Sequence, residues 1–183
     1  MSRHSFIAGL IVALLGIGVA PNVAKAQQEN SSSEVQVAIS AAEKAVQKAR
    51  ADIEKGKEML ALIPEDSPLM PDIAEMVEAA AENWKVAVDS LKGAKESAGK
   101  IESAGNPSLA GDYALLAKVN AGVALSGAKI VGMAVAYVEA VATNKTESLD
   151  IIRTALRDAV AASSQVQFNY DRVKKLITEK YSK

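Results

Sequence analysis

The chain of 183 residues contains no cysteine and a single histidine, His4. The first absence excludes disulfides, thiolate metal sites, cysteine nucleophiles and a lipid-modified leader cysteine. The second removes most of the chemistry that helical proteins host. Haem and di-iron bundles need axial His or Met, or Glu-x-x-His pairs, and serine hydrolysis needs a histidine base. Aromatic residues make up 4% of the chain, so a core has to be assembled from Ala, Val, Ile and Leu. Neither sign of charge dominates. With 21 basic and 22 acidic residues, a net charge of −1 and Lys and Glu intermixed along the chain, there is no basic stripe of the kind that binds nucleic acid. The sequence also lacks the alternating pattern of strands and the glycine turns of hairpins.

What is present begins with a leader. Arg3 and His4 lie near the start, a run of fifteen apolar residues fills 6–20, and Pro21 leads into Ala24-Lys25-Ala26, a small-x-small cleavage site. The run is interrupted by Gly9, Gly16 and Gly18 and falls short of the roughly 20 residues needed to span a bilayer. Residues 1–26 are therefore expected to be a signal peptide cut after Ala26. Its removal takes away His4, Arg3 and Lys25, leaving 19 of the 21 basic residues against 22 acidic ones and a net charge of −3. Residues 27–33 are polar with a serine run and read as a flexible lead-in. A leader without disulfide staples downstream predicts a bacterial periplasmic or secreted protein.

Four segments with helical periodicity follow, over 34–63, 71–104, 107–142 and 145–181. In the first, Val35, Ile39, Ala42, Val46, Ala49, Ile53, Gly56, Leu60 and Ile63 alternate spacings of four and three, which holds them on one helical stripe. Pro64 ends it. In the second, Ile73, Val77, Ala80, Trp84, Ala87, Leu91, Ala94, Ala98 and Ile101 repeat the alternation after Pro71 in the first turn. Asn106 and Pro107 are placed to cap and start the third. Asn144, with Glu147 three residues on, has the form of a capping box for the fourth, whose stripe includes Leu149, Ile152, Leu156, Ala159, Ser163, Val166 and Tyr170.

The third segment is the most apolar. Within 121–142 only Lys129 and Glu139 are charged, too little polarity for a helix with a whole face in water. Ala124, Ala128, Gly132, Ala136 and Ala140 form a row of small side chains along it, which predicts close packing of a neighbouring backbone. Long helices, short connections and a repeat near 3.5 together predict an all-α fold, an up-down-up-down antiparallel four-helix bundle with long helices. The competing arrangement is a helical hairpin that completes its core by oligomerising through the third helix.

The remaining residues point to packing before chemistry. Met59, Met70, Met76 and Met133 lie on stripes or near helix ends and read as gap fillers. Glu65, Asp66, Asp72 and Glu75 lack the alternating ligands of a calcium loop and read as solvated charges, with Asp72 and Glu75 favouring a helix start. Gly122, Gly127 and Gly132 have no preceding strand, so they form no phosphate loop. No catalytic, metal or cofactor-binding residue is assigned.

Antiparallel register places Trp84 opposite Ile53, Ile130 and Ala159, as a largely buried ring. One layer further it brings together Ala49, Ala87, Ser126 and Ser163, with Tyr170 facing Ala42 and Ala94 a layer beyond. Four small residues either leave a slot for an apolar ligand, with Tyr170 and the two serines as its polar handle, or pack closely with both hydroxyls bonded back to their own helices. The function expected is that of a non-catalytic secreted bundle that binds a partner protein or a small apolar ligand. A membrane-surface role for its amphipathic helices is the second reading, and a membrane-spanning third helix a weaker third.

Overall fold

The computed structural model describes the backbone of residues 21–181 and the side chains from residue 32 to 181; the leader run 6–20 lies outside the described residues. The described chain is all-helical. It comprises α1 (Pro21–Leu60), α2 (Met70–Gly99), α3 (Pro107–Ala142), a single 3-10 turn at Thr146–Ser148, and α4 (Leu149–Tyr181).

The bounds differ from the periodic pattern in instructive ways. The stretch 27–33, expected as a flexible lead-in, is helical and continuous with α1. It holds no Pro or Gly, and its Gln, Glu and Ser residues cost a helix only fractions of a kcal/mol each. Both α1 and α2 end before their apolar stripes do. After Leu60 the amides of Leu62 and Ile63 bond to carbonyls three residues back, and after Gly99 those of Lys100 and Ile101 do the same. These tighter turns fold Ile63 and Ile101 back into the core at 8% and 4% exposure.

Asn106 caps α3 as the sequence implies. Its backbone is extended and its side chain accepts from the Leu109 amide at 2.9 Å, with Pro107 in the first turn. Asn144 corrects the expectation. It starts no helix and makes no capping box with Glu147. Its φ of 57° closes α3 instead, with the Asn144 amide bonded to the Val141 carbonyl at 3.0 Å and the Lys145 amide to the Ala140 carbonyl at 2.8 Å. That pair of bonds is a Schellman closure, which takes Gly or Asn at the left-handed position. The residue that could have capped α4 is committed through its backbone to ending α3, and α4 is entered through the 3-10 turn.

The third helix is the centre of the molecule. α1, α2 and α4 each pack along it, so Ala117, Val123, Ala124, Ile130, Val131 and Tyr137, spread round its circumference, are all buried. By length and composition α3 is apolar enough to cross a membrane, yet 61% of its most apolar window is buried inside the protein. Of its four charged residues, Asp112, Lys118 and Glu139 pair with Lys180, Glu34 and Lys55, and Lys129 is exposed.

Contacts rise in step along α1 and α3, from Glu34 with Lys118 to Gly56 with Val135. They run in opposite order for α2, from Asp72 with Tyr137 to Gly93 with Asn120. The fourth helix also descends α3, from Arg153 at Tyr137 through Val166 at Gly122 to Lys180 at Asp112. Its backbone reaches neither α1 nor α2 among the described residues.

Three clusters fill the core along its length. One end is Ala-rich, with Ala42, Ala94, Ala114, Ala117, Ala121 and Ala124 around Val35 and Ile39. The middle holds Val46, Ala49, Ala87, Ala128, Val131 and Val135. The other end is built from larger residues around Ile63, Ile73, Ile130 and Tyr137, and Met59, Met70, Met76 and Met133 all pack there. Thioether side chains fill irregular gaps well, and this is where the helix ends and turns leave them.

Candidate functional site

An apolar concavity lies between α1 and α2, over α3, toward the Met-rich end. It is a groove of about 580 Å³, within the range of small-molecule sites. Its α1 wall is Ile53, Gly56 and Leu60, its α2 wall Met76, Ala80, Ala81 and Trp84, and its floor Ala134, Val135 and Val138.

Local sequence explains why space is left there. Gly56 lets α1 settle onto α3, since a Cβ on it would stand 3.2 Å from Val135 Cγ2. Gly127 brings α2 in more closely still: a Cβ there would meet the Asn83 carbonyl oxygen at 2.8 Å and the Ala87 Cβ at 3.2 Å. Both outer helices are thus drawn down onto α3. The residues that then face each other between them, Gly56 on one side and Ala80 and Ala81 on the other, are too short to fill the gap.

The groove is apolar inside and charged at one edge. Met76, Ala134 and Val138 are buried, Trp84 is half-buried, and Val77 at the mouth is 44% exposed. Arg50, Glu54 and Lys57 line the α1 edge. Lys57 bonds to Glu54 at 3.0 Å. Such an arrangement can hold an elongated apolar molecule against an indole face.

Trp84 is where expectation and structure diverge most usefully. It meets Ile53 as foreseen, in the middle cluster and in the groove. Ile130 and Ala159 belong to the cluster at the Met-rich end. The ring is therefore a groove wall, not a largely buried core side chain.

Of the residues expected to form a slot, the structure brings together Ala49 and Ala87, which pack with Ala128 and Val131 in the middle cluster at 1% and 0% exposure. Ser126 and Ser163 are half-buried. Tyr170 is half-buried, with Lys174 Nζ 5.7 Å from its ring centroid, and Ala42 and Ala94 are buried in the Ala-rich cluster without it. Ser163 and Tyr170 are not brought to the α1 and α2 residues because the backbone of α4 comes close to α3 and to neither of the other two long helices. A register argument assumes four helices around one axis, and three helices around a central fourth do not meet in such layers.

A polar cluster went unanticipated. Asp72, expected as a solvated charge at the start of α2, accepts from the Tyr137 hydroxyl at 3.1 Å and from Arg153 through the same Oδ2. Arg153 also donates to the Tyr137 oxygen at 2.9 Å, and its Cζ lies 5.6 Å from the ring centroid. Burial first, and then the hydrogen bond to Asp72, raise the Tyr137 phenol above its ordinary value. The clue in the sequence was a tyrosine on an otherwise apolar stripe, since a buried phenol needs a partner. At the far end of α4, Lys180 bonds to Asp112 at 2.6 Å and to Ser108 at 2.8 Å, and the Tyr181 hydroxyl donates to Asp112 at 2.7 Å. The hydrogen bonds to Asp112 and Tyr181 hold the Lys180 ammonium above its ordinary value. These two clusters fasten the ends of α4. Among the described residues no three His, Cys, Asp or Glu side chains converge as metal ligands would.

No protein-family model, curated protein or solved structure matches the chain.

Proposed function

We propose that the chain is a non-catalytic, secreted or periplasmic binding protein, cut after Ala26, that holds a small apolar ligand in the groove between α1 and α2. The observation that carries this reading is the groove itself: about 580 Å³ of apolar space with the chain's single tryptophan on its wall. An apolar site needs a rigid frame. The frame in this reading is an up-down-up-down bundle whose central helix supplies the floor and whose two outer helices supply the walls.

Binding of the environment-sensitive probe N-phenyl-1-naphthylamine tests it. The mature protein should bind one probe saturably, and Ala81→Phe, which fills the groove from an exposed position, should abolish binding while leaving the helical circular dichroism unchanged. Probe uptake that survives Ala81→Phe would place the ligand elsewhere and overturn the assignment.

A further inference from the structure

The groove is uncharged within but not electrically neutral at its edge, and the asymmetry selects among apolar ligands. Three charged residues line it, all on α1: Arg50, Glu54 and Lys57. Glu54 and Lys57 neutralise each other at 3.0 Å. Arg50 lies four residues before Glu54, so it stands at one end of the slot and the paired residues lie further along. Among the described residues it has no ion-pair, hydrogen-bond or ring partner: the neighbouring Lys48 takes Asp52 at 2.6 Å, and Lys55 takes Glu139. A guanidinium keeps its charge at any ordinary pH and presents planar paired donors that fit a carboxylate.

The shape agrees with a chain more than with a flat ring system. From Arg50 to Leu60 the α1 wall rises about 15 Å, and from Met76 to Trp84 the α2 wall about 12 Å, at 1.5 Å per residue. The groove is therefore an elongated apolar trough with a single free cation at one end. We infer that its ligand is a single-chain carboxylate amphiphile whose alkyl chain lies between Trp84 and Val135 and whose head group meets Arg50. This rests on the groove being the binding site.

Isothermal titration of the mature protein at pH 8 with decanoate, decanol and decyltrimethylammonium separates the two claims. Decanoate should bind more tightly than decanol by a factor of about three to five, the gain a solvent-screened ion pair supports, and the cation more weakly than either. Arg50→Gln should remove the preference for decanoate and leave decanol affinity unchanged. Glu54→Gln, which frees Lys57, should strengthen decanoate alone. Raising the salt concentration should shrink the decanoate advantage, since exposed charges are screened within about 10 Å at 0.1 M. Equal affinity for decanoate and decanol in the wild type, or an equal loss of both in Arg50→Gln, would overturn the head-group assignment while the groove assignment stands. Failure of all three to bind would overturn the groove assignment itself.

Discussion

At the scale of single residues, the approach of α2 to α3 at Gly127 depends on a missing methyl group. Glycine inside a helix usually costs about 0.5–1 kcal/mol relative to alanine. At Gly127 that preference is reversed, because a Cβ would stand 2.8 Å from the Asn83 carbonyl oxygen and backbone cannot yield cheaply. Gly127→Ala should destabilise the protein by about 1–3 kcal/mol. Gly111→Ala, at a site in the same helix where nothing lies within 4 Å, should stabilise it by about 0.5–1 kcal/mol. Urea denaturation of both variants checks the pair, and equal effects would mean that α2 does not approach α3 at Gly127.

Tyr137 gives a prediction with a sign in pH. Its phenol is raised above 10.0 by burial and by Asp72, so the native state holds that proton more tightly than the unfolded chain. The stability this contributes is complete below pH 10 and is lost as pH climbs through the higher folded value. Tyr137→Phe should cost about 1 kcal/mol at pH 8 through the lost hydrogen bonds and should flatten the fall in stability above pH 10. For Trp84, half-buried on the groove wall, truncation to alanine should cost less than the roughly 3–5 kcal/mol of a fully buried ring.

At the scale of elements, α4 is the exception. The other two outer helices bury continuous stripes, whereas on α4 only Leu149 and Leu156 are buried, and Val166, Tyr170, Val173 and Ile177 remain half-exposed along the seam with α3. An element with few buried apolar contacts opens at lower free energy than the core. Hydrogen exchange should therefore show weaker amide protection in the second half of α4 than in α3. Asp112→Asn, which removes the anion held by Lys180 and Tyr181, should weaken protection over 170–181 further and leave α3 unchanged.

The elements also show how far the sequence can be read. Helix positions follow from apolar spacing, and the Asn106 cap follows from local chemistry, because each depends on residues within a few positions of one another. The stripe of α4 was equally clear, but periodicity reports only which face is apolar and not how many neighbours cover it. At Asn144 the sequence is ambiguous, because the same residue type serves both a helix start and a left-handed helix end. The groove at Trp84 could not be located from spacing. It arises where Gly56, Ala80 and Ala81 face each other across two helices, a coincidence of three small residues from segments more than 20 positions apart. The Asp72, Tyr137 and Arg153 cluster is non-local in the same way, although the buried phenol called for a partner.

At the scale of the whole molecule, the proposed function requires export of the chain and a helical frame that holds an apolar groove open. The leader reading predicts that secreted material begins at Gln27, which intact mass decides. Retention of residues 1–26 would remove the secreted assignment without touching the groove. The groove is the central claim, and the single tryptophan makes it directly accessible, because a 15N-labelled sample gives one indole resonance, that of Trp84. In a titration with decanoate, that resonance should move saturably to an end point at one ligand per chain, together with the amides of Gly56, Ala80 and Val135. Binding that leaves the Trp84 indole resonance and those amides in place would contradict the account.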